Sequence, residues 1–229
     1  MLRYLTGGQV SVPLVIRLPC GAGQGAGSQH SQALYSWFAH VPGIKVALPS
    51  SSYEAKGLMK AAIRDPNPVL FFEHKALYRT RWPVPEAYHD ADHTIEFGRA
   101  KVHRTGKDIT VVATLTMLHQ ALAAAQTLAP EGISLEVIDP RTLVPFDRET
   151  IVESVRKTGR LLVVDEAYQA FGIHSEVLAT VAEQAFAALK APPRRLGNPG
   201  VPVPFAPGLE DEVLPNCDRI VAAARQLVA

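Results

Sequence analysis

The sequence predicts an α/β protein built from two parallel-sheet domains. Short β-branched runs alternate with longer stretches of helical spacing, turn residues separate them, and the alternation resumes after one aperiodic segment. Repeated βα units imply parallel sheets covered on both faces, with right-handed connections.

In the first half, Val12 to Ile16 reads as a buried strand. Leu34, Trp37, Phe38 and Val41 recur at helical spacing and predict an inward stripe. Lys45 to Leu48 is a second strand. Ser51 with Glu54 three residues on is a capping box, opening a helix with Ala55, Leu58, Met59, Ala62 and Ile63 inward. Asp65, Pro66 and Pro68 end that helix, and Val69 to Phe72 is a third strand.

Residues 79 to 95 are rich in proline, charge and histidine and have no period, so they are read as a linker. The resulting division is 1–85 for the first domain, 86–94 for the linker and 95–229 for the second. The second half predicts strands at Ile109 to Ala113, Ser134 to Ile138 and Leu161 to Val164. Its helices use Leu118, Leu122, Ala125 and Leu128; Ile151 and Val155 behind an Asp147 cap; and Leu178, Val181, Ala182, Ala185, Phe186 and Leu189. A proline-rich loop spans 192–207, and a last helix starts near Asp218.

Composition excludes several classes. A net charge of +1 with no basic stretch argues against a nucleic-acid surface. No apolar run approaches the ~20 residues of a membrane helix. The start of the chain has no signal-peptide pattern. Cys20 and Cys217 have no metal-like spacing and suggest neither a disulfide framework nor a zinc site, which fits a reducing compartment.

An open parallel sheet binds ligands at the carboxyl ends of its strands. There the sequence places Gly21-Ala22-Gly23-Gln24-Gly25-Ala26-Gly27, which lacks the pattern of a phosphate loop and reads equally as a ligand loop or a flexible one. His30 follows at the mouth of a helix. Its titration range suits proton transfer, although from the residues alone a capping or hydrogen-bonded histidine is the preferred reading. Glu73 and His74 read as a structural ion pair near Tyr78, and Asp139 with Arg141 as a loop-bracing bridge. Glu166 and Glu176, flanking Phe171-Gly172, read as helix-end or interface groups. The histidines at 40, 89, 93, 103, 119 and 174 show no ligand spacing.

A run of motifs then carries a resemblance. Gln29-His30-Ser31-Gln32, Phe38-Ala39-His40-Val41-Pro42-Gly43-Ile44-Lys45-Val46, Ala55-Lys56-Gly57-Leu58, Ala62-Ile63-Arg64-Asp65-Pro66-Asn67-Pro68-Val69 and Phe72-Glu73-His74-Lys75 stand in order. Val137-Ile138-Asp139-Pro140-Arg141-Thr142, Lys157-Thr158-Gly159-Arg160 and Pro202-x-Pro204 complete the series. The chain resembles the beta subunit of thiamine-diphosphate-dependent 2-oxo acid dehydrogenases of the pyruvate, branched-chain or acetoin type, whose C-terminal domain is transketolase-like.

The resemblance implies an α2β2 heterotetramer with an alpha subunit that holds the diphosphate and magnesium of thiamine diphosphate. It implies decarboxylation of a 2-oxo acid and acyl transfer to a lipoyl group on an acyltransferase core. His30 matches the family histidine lining the active site near the cofactor and the incoming lipoyl group. The backbone carbonyls of Leu14, Ala62, Asp65 and Asn67 match a structural potassium site, and oxygen ligands suit a hard cation. Leu77-Tyr78-Arg79 and Gly43-Ile44-Lys45 lean toward branched-chain members. The expected location is the cytoplasm, or the mitochondrial matrix in a eukaryote.

Three departures accompany it. Family members carry a segment ahead of the position of Met1, with the glutamate that hydrogen-bonds the aminopyrimidine and the aromatic that packs on it. No residue here maps to either. This predicts an open sheet edge and a self-associating isolated chain. Gly200, in Asn198-Pro199-Gly200, stands where the family usually has Asp, and His174 stands where a small residue is usual. The alternative functions are a truncated interaction chain of the same family, or another transketolase-type enzyme acting on sugar phosphates.

Overall fold

The structure is a computed structural model that describes residues 2–229. The first half runs α1 (Leu2–Leu5), β1 (Val15–Cys20), α2 (Gly27–His30), α3 (Tyr35–Ala39), β2 (Lys45–Ala47), α4 (Ser52–Ile63) and β3 (Val69–His74). The second runs β4 (Lys101–Arg104), β5 (Ile109–Ala113), α5 (Leu115–Leu128), β6 (Leu135–Asp139), β7 (Thr142–Val144), α6 (Arg148–Thr158), β8 (Leu161–Tyr168), α7 (Ile173–Gln184), β9 (Arg194–Asn198), α8 (Pro207–Val213) and α9 (Cys217–Val228).

The strands form two mainly parallel sheets. The first is ordered β1-β3-β2-β7 and the second β4-β6-β5-β8-β9. Each carries one antiparallel edge strand, β7 on β2 and β4 on β6, so neither sheet is wholly parallel as the sequence implied. The strand β7 belongs by sequence to the second half and by pairing to the first sheet. Short edge strands with polar positions, such as Lys101–Arg104 and Arg194–Asn198, lack the apolar run that marks a buried strand, so β4, β7 and β9 were not expected.

Several boundaries move for identifiable reasons. The first strand begins at Val15 rather than Val12, because Pro13 has no N–H to give a ladder and pairing with β3 starts at Val15↔Val69. The helix read across 34–41 is only five residues long. Trp37 is 69% exposed and Val41 also faces solvent, while the buried anchor is Tyr35, whose hydroxyl donates to Asp165 in the other half. The helix α4 keeps its Ser51 cap, with Glu54 N–H donating to Ser51 Oγ at 3.3 Å. Its buried face is Glu54, Gly57, Leu58 and Ala62, and Ile63 points outward. In α7 the inward side chains are Ile173, Val177 and Val181, whereas Ala182 and Phe186 are exposed and the α-helix stops at Gln184. The last helix starts at Cys217, capped by Asn216.

The segment 79–95 is packed down rather than loose. Lys56 donates to the Tyr88 and Asp90 carbonyls and Lys60 to that of Ala91. Ile95 N–H donates to Gly57 O at 3.1 Å, and a Cβ on Gly57 would lie 2.6 Å from the Ile95 side chain. Trp82 stacks on His119 with ring centroids 3.9 Å apart. One core cluster joins both halves, bringing Tyr35, Leu48 and Phe72 onto Val112, Ile138, Val163 and Ile173. Burial of that apolar surface holds the halves together. No helix among the described residues is long and apolar enough to cross a membrane.

Candidate active site

The strands β1 and β3 end side by side, Cys20 opposite His74, and the glycine loop leaves from there. Gly21 is at φ +93°, and a Cβ on it would sit 2.2 Å from His74 Nε2, so backbone sign and space both demand glycine. The loop is neither free nor presented to a ligand. Gly23 and Gly25 N–H groups donate to the two carboxylate oxygens of Glu210 at 2.8 and 3.0 Å. The Phe205 ring lies under Gly27, where a Cβ would come within 2.4 Å of it.

Gly27 opens α2, and His30 closes it. Its carbonyl accepts from Lys75 Nζ, which fixes the backbone, while its side chain is exposed and has no hydrogen-bond partner among the described residues. A capping role is therefore not what this imidazole does. It stands beside Lys75, just past the carboxyl end of β3.

His74 and Glu73 do not pair with each other, because successive residues of a strand face opposite sides. Glu73 is gripped by Arg17 at 2.7 and 2.8 Å and by the Tyr78 hydroxyl at 2.8 Å. Burial pushes its carboxyl up, but these donors outweigh it and hold it below the usual range. Burial and the Glu73 carboxylate push Tyr78 up to about 12. On the other face His74 is buried. Ala76 N–H donates to its Nδ1 at 3.2 Å, so Nε2 carries the proton and donates to Glu166 at 2.7 Å. Cys20 is buried beside them. Burial, then Glu166 and Asp165, push its thiol well up, so it is no nucleophile. Glu176 pairs with Arg148 at 2.7 Å.

A charge cluster around the buried Glu54 lies elsewhere. Arg141 N–H donates to Asp139, but its guanidinium turns to Glu54 at 3.3 Å, so the expected Asp139–Arg141 bridge is replaced by a tie between the halves. His103 Nε2 lies 3.5 Å and Lys101 Nζ 4.0 Å from the same Glu54 oxygen. Burial opposes ionisation of Glu54, yet the nearby His103 ring, the Ser51 hydroxyl and the Arg141 charge lower it to about 2. Burial and the Glu54 charge raise Asp139 to about 6. Ligand atoms of Glu54, His103 and Asp139 fall within 4.8 Å of one another, but two cations already face this cluster. Sequence reading gave Glu54 only a capping role and His103 none, since their partners are far along the chain.

The residues that the resemblance assigns to a potassium site lie about the turn between α4 and β3 and just ahead of β1, and the Leu14 and Ala62 carbonyls already accept hydrogen bonds. Val69 N–H donates to Leu14 O at 2.8 Å, Asp65 N–H to Ala62 O at 3.2 Å, and Asn67 N–H to the Asp65 side chain at 2.9 Å, with Lys45 paired to that carboxylate. The two family departures are absorbed locally. Asn198 accepts from Gly200 and Val201 N–H at 2.9 and 3.0 Å, with Gly200 at φ +101°. His174 is buried, with Nε2 2.9 Å from Leu196 O and Gly197 against its ring.

Residues 1–81 match the family "Transketolase, pyrimidine binding domain" and residues 98–220 match "Transketolase, C-terminal domain". The chain belongs to the transketolase family. Within that family it is similar to two kinds of beta subunit. It is 46% identical over 224 residues to the pyruvate dehydrogenase E1 component subunit beta-2 of Oryza sativa subsp. japonica, covering 98% of this chain and 60% of that one. It is 50% identical to the acetoin:2,6-dichlorophenolindophenol oxidoreductase subunit beta of Cupriavidus necator, covering 98% and 65%. The chain thus spans less than two thirds of the length of these relatives. A solved structure described as "Split gene transketolase, inactive beta4 tetramer" superposes with a TM-score of 0.72 at 28% identity, covering 93% of this chain and 66% of that one. The transketolase match agrees with the two mainly parallel sheets.

Proposed function

We propose that the chain is the beta-type subunit of the decarboxylating component of a 2-oxo acid dehydrogenase. It acts with an alpha-type subunit in an α2β2 assembly and passes an acyl group to a lipoyl group on an acyltransferase core. The proposed division is 1–85 as partial pyrimidine-binding domain, 86–94 as link and 95–229 as C-terminal domain, in the cytoplasm or the mitochondrial matrix. The observation that carries the reading is His30, exposed, without a side-chain partner, and held by its backbone at the end of β1 and β3.

Thiamine diphosphate supplies the carbanion chemistry of decarboxylation when bound. The glycine amides here are taken by Glu210, which fits the diphosphate and magnesium being held by the alpha-type subunit. His30 holds or moves a proton at its imidazole during acyl transfer, and the Lys75 bond keeps the backbone that carries it in place. Potassium would be held by the carbonyls of Leu14, Ala62, Asp65 and Asn67, a reading that rests on the resemblance and on the placement of these residues about the α4–β3 turn.

A second reading is a self-associating, non-catalytic chain. It is favoured by an apolar face where Phe171 is 95% exposed beside Trp37 and a cavity of about 900 Å³. The test is co-expression with the alpha-type subunit, followed by decarboxylation and acyl-transfer assays with pyruvate and a branched-chain 2-oxo acid. His30→Ala is expected to lower acyl transfer ~10²-fold. An unchanged rate would remove His30 from the mechanism, and an assembled but inactive pair would favour the second reading.

A further inference from the structure

We propose that Glu210 is a positioning residue for His30, the anion that fills the glycine loop from the C-terminal tail and sets the turn on which the histidine stands. The inference rests on the functional reading above only for its effect on turnover; the clamp itself stands on geometry.

Gly23, Gly25 and Gly27 lie at φ +84°, +61° and +66°. They alternate with residues of negative φ, such as Ala26 at −91°, and backbone that alternates between right- and left-handed conformations turns its N–H groups toward one side, making a concavity for an anion. Here the anion is internal. Glu210 Oε1 accepts from Gly23 and Oε2 from Gly25, a charge-assisted pair in which each oxygen has its own donor. Glu210 is 3% exposed, although it lies in the short α8 near the end of the chain, 187 residues from Gly23. Neighbouring contacts extend the grip. Ala22 packs with Val203 and Leu214, and the Phe205 ring supports Gly27.

The loop has little side-chain bulk to define its path, four of its seven residues being glycine, and glycine is the residue with most freedom to lose. Its path is therefore set from outside, by the tail at Gly23 to Gly27 and by Lys75 at the His30 carbonyl. His30 lies three residues beyond Gly27, between these clamps. Displacing the tail would leave the imidazole on a tether and misplace it against a reacting group, which costs rate without touching the group itself.

Three variants test this on the full chain. Glu210→Gln keeps the shape but presents one acceptor and one NH2 to two N–H groups. Hydrogen exchange at the Gly23 and Gly25 amides should rise at least ~10-fold, the scale of one lost hydrogen bond. Glu210→Asp keeps two acceptors and should recover part of the protection. Glu210→Ala should recover it in sodium formate but not in sodium chloride, because formate restores the missing carboxylate. Unchanged protection in Glu210→Gln would overturn the clamp.

In the complex with the alpha-type subunit, Glu210→Gln should lower acyl transfer ~10-fold and have no further effect in a His30→Ala background, since the two act as one unit. An equal loss in both backgrounds would make Glu210 merely structural and overturn its positioning role. If His30→Ala alone leaves acyl transfer unchanged, His30 leaves the mechanism, and with it the effect of Glu210 on turnover, while the exchange result still decides the clamp.

Discussion

Glu54 and Asp165 are both buried carboxyl groups that tie one half of the molecule to the other, and they solve the problem of burial in opposite ways. Glu54 meets the Arg141 guanidinium, the Lys101 ammonium and the His103 ring, and is held ionised down to about pH 2. Asp165 meets the neutral hydroxyl of Tyr35 and the Ala167 N–H, and lies near His174; burial wins, and its carboxyl is pushed up. The lesson is that partner charge, more than depth, decides whether a buried acid ionises. The cationic tie joins α4 to β4 and to the residue ahead of β7. The neutral one belongs to the same strand as Glu166, which holds His74 beside the glycine loop.

The largest way to break this comparison is Glu54→Ala. It would strand a buried guanidinium, and urea unfolding at pH 7 should show a loss of about 3–5 kcal/mol. Tyr35→Phe removes a donor of hydrogen bonds from Asp165 without removing a charge and should cost about 1–3 kcal/mol by the same measurement. If the second loss equals or exceeds the first, the contrast between the two ties is wrong.

The pH dependence sharpens it further. Glu54 is lowered from 4.5 to about 2, so its contribution is present above pH 4.5 and is lost as pH falls toward 2. Asp139 has the opposite sign. Raised from 3.8 to about 6, it binds its proton more tightly in the folded state, so its share of stability falls as pH rises from 3.8 to 6. Asp139→Asn should flatten the stability curve in that window and leave the acid limb below pH 4.5 in place. A curve unchanged between pH 4 and 6 would mean that Asp139 is not the titrating group.

Much of this was legible in the sequence, for local reasons. Ile109–Ala113 is apolar or β-branched at almost every position and is buried throughout, so its strand was read to the residue. The Ser51 and Asp147 caps were visible because a cap and its N–H are three residues apart. What escaped reading is what chain separation hides. Tyr35 outranks Trp37 as the anchor of α3 because its hydroxyl finds a partner 130 residues away. At the proposed site, the case for His30 came from its motif, while Glu210 escaped reading, since nothing near it announces that its carboxylate belongs to a loop at the other end of the chain.

One further consequence comes from β7. Thr142–Val144 is encoded beyond the connecting segment yet completes the first sheet, with Leu48 N–H donating to Arg141 O at 2.8 Å at its edge. The halves are interlaced rather than strung together. A protease cut in the segment around residues 86–89 would leave two fragments sharing a sheet, each carrying part of the other's frame. In such a molecule the boundary drawn along the sequence is not the boundary along which it would come apart.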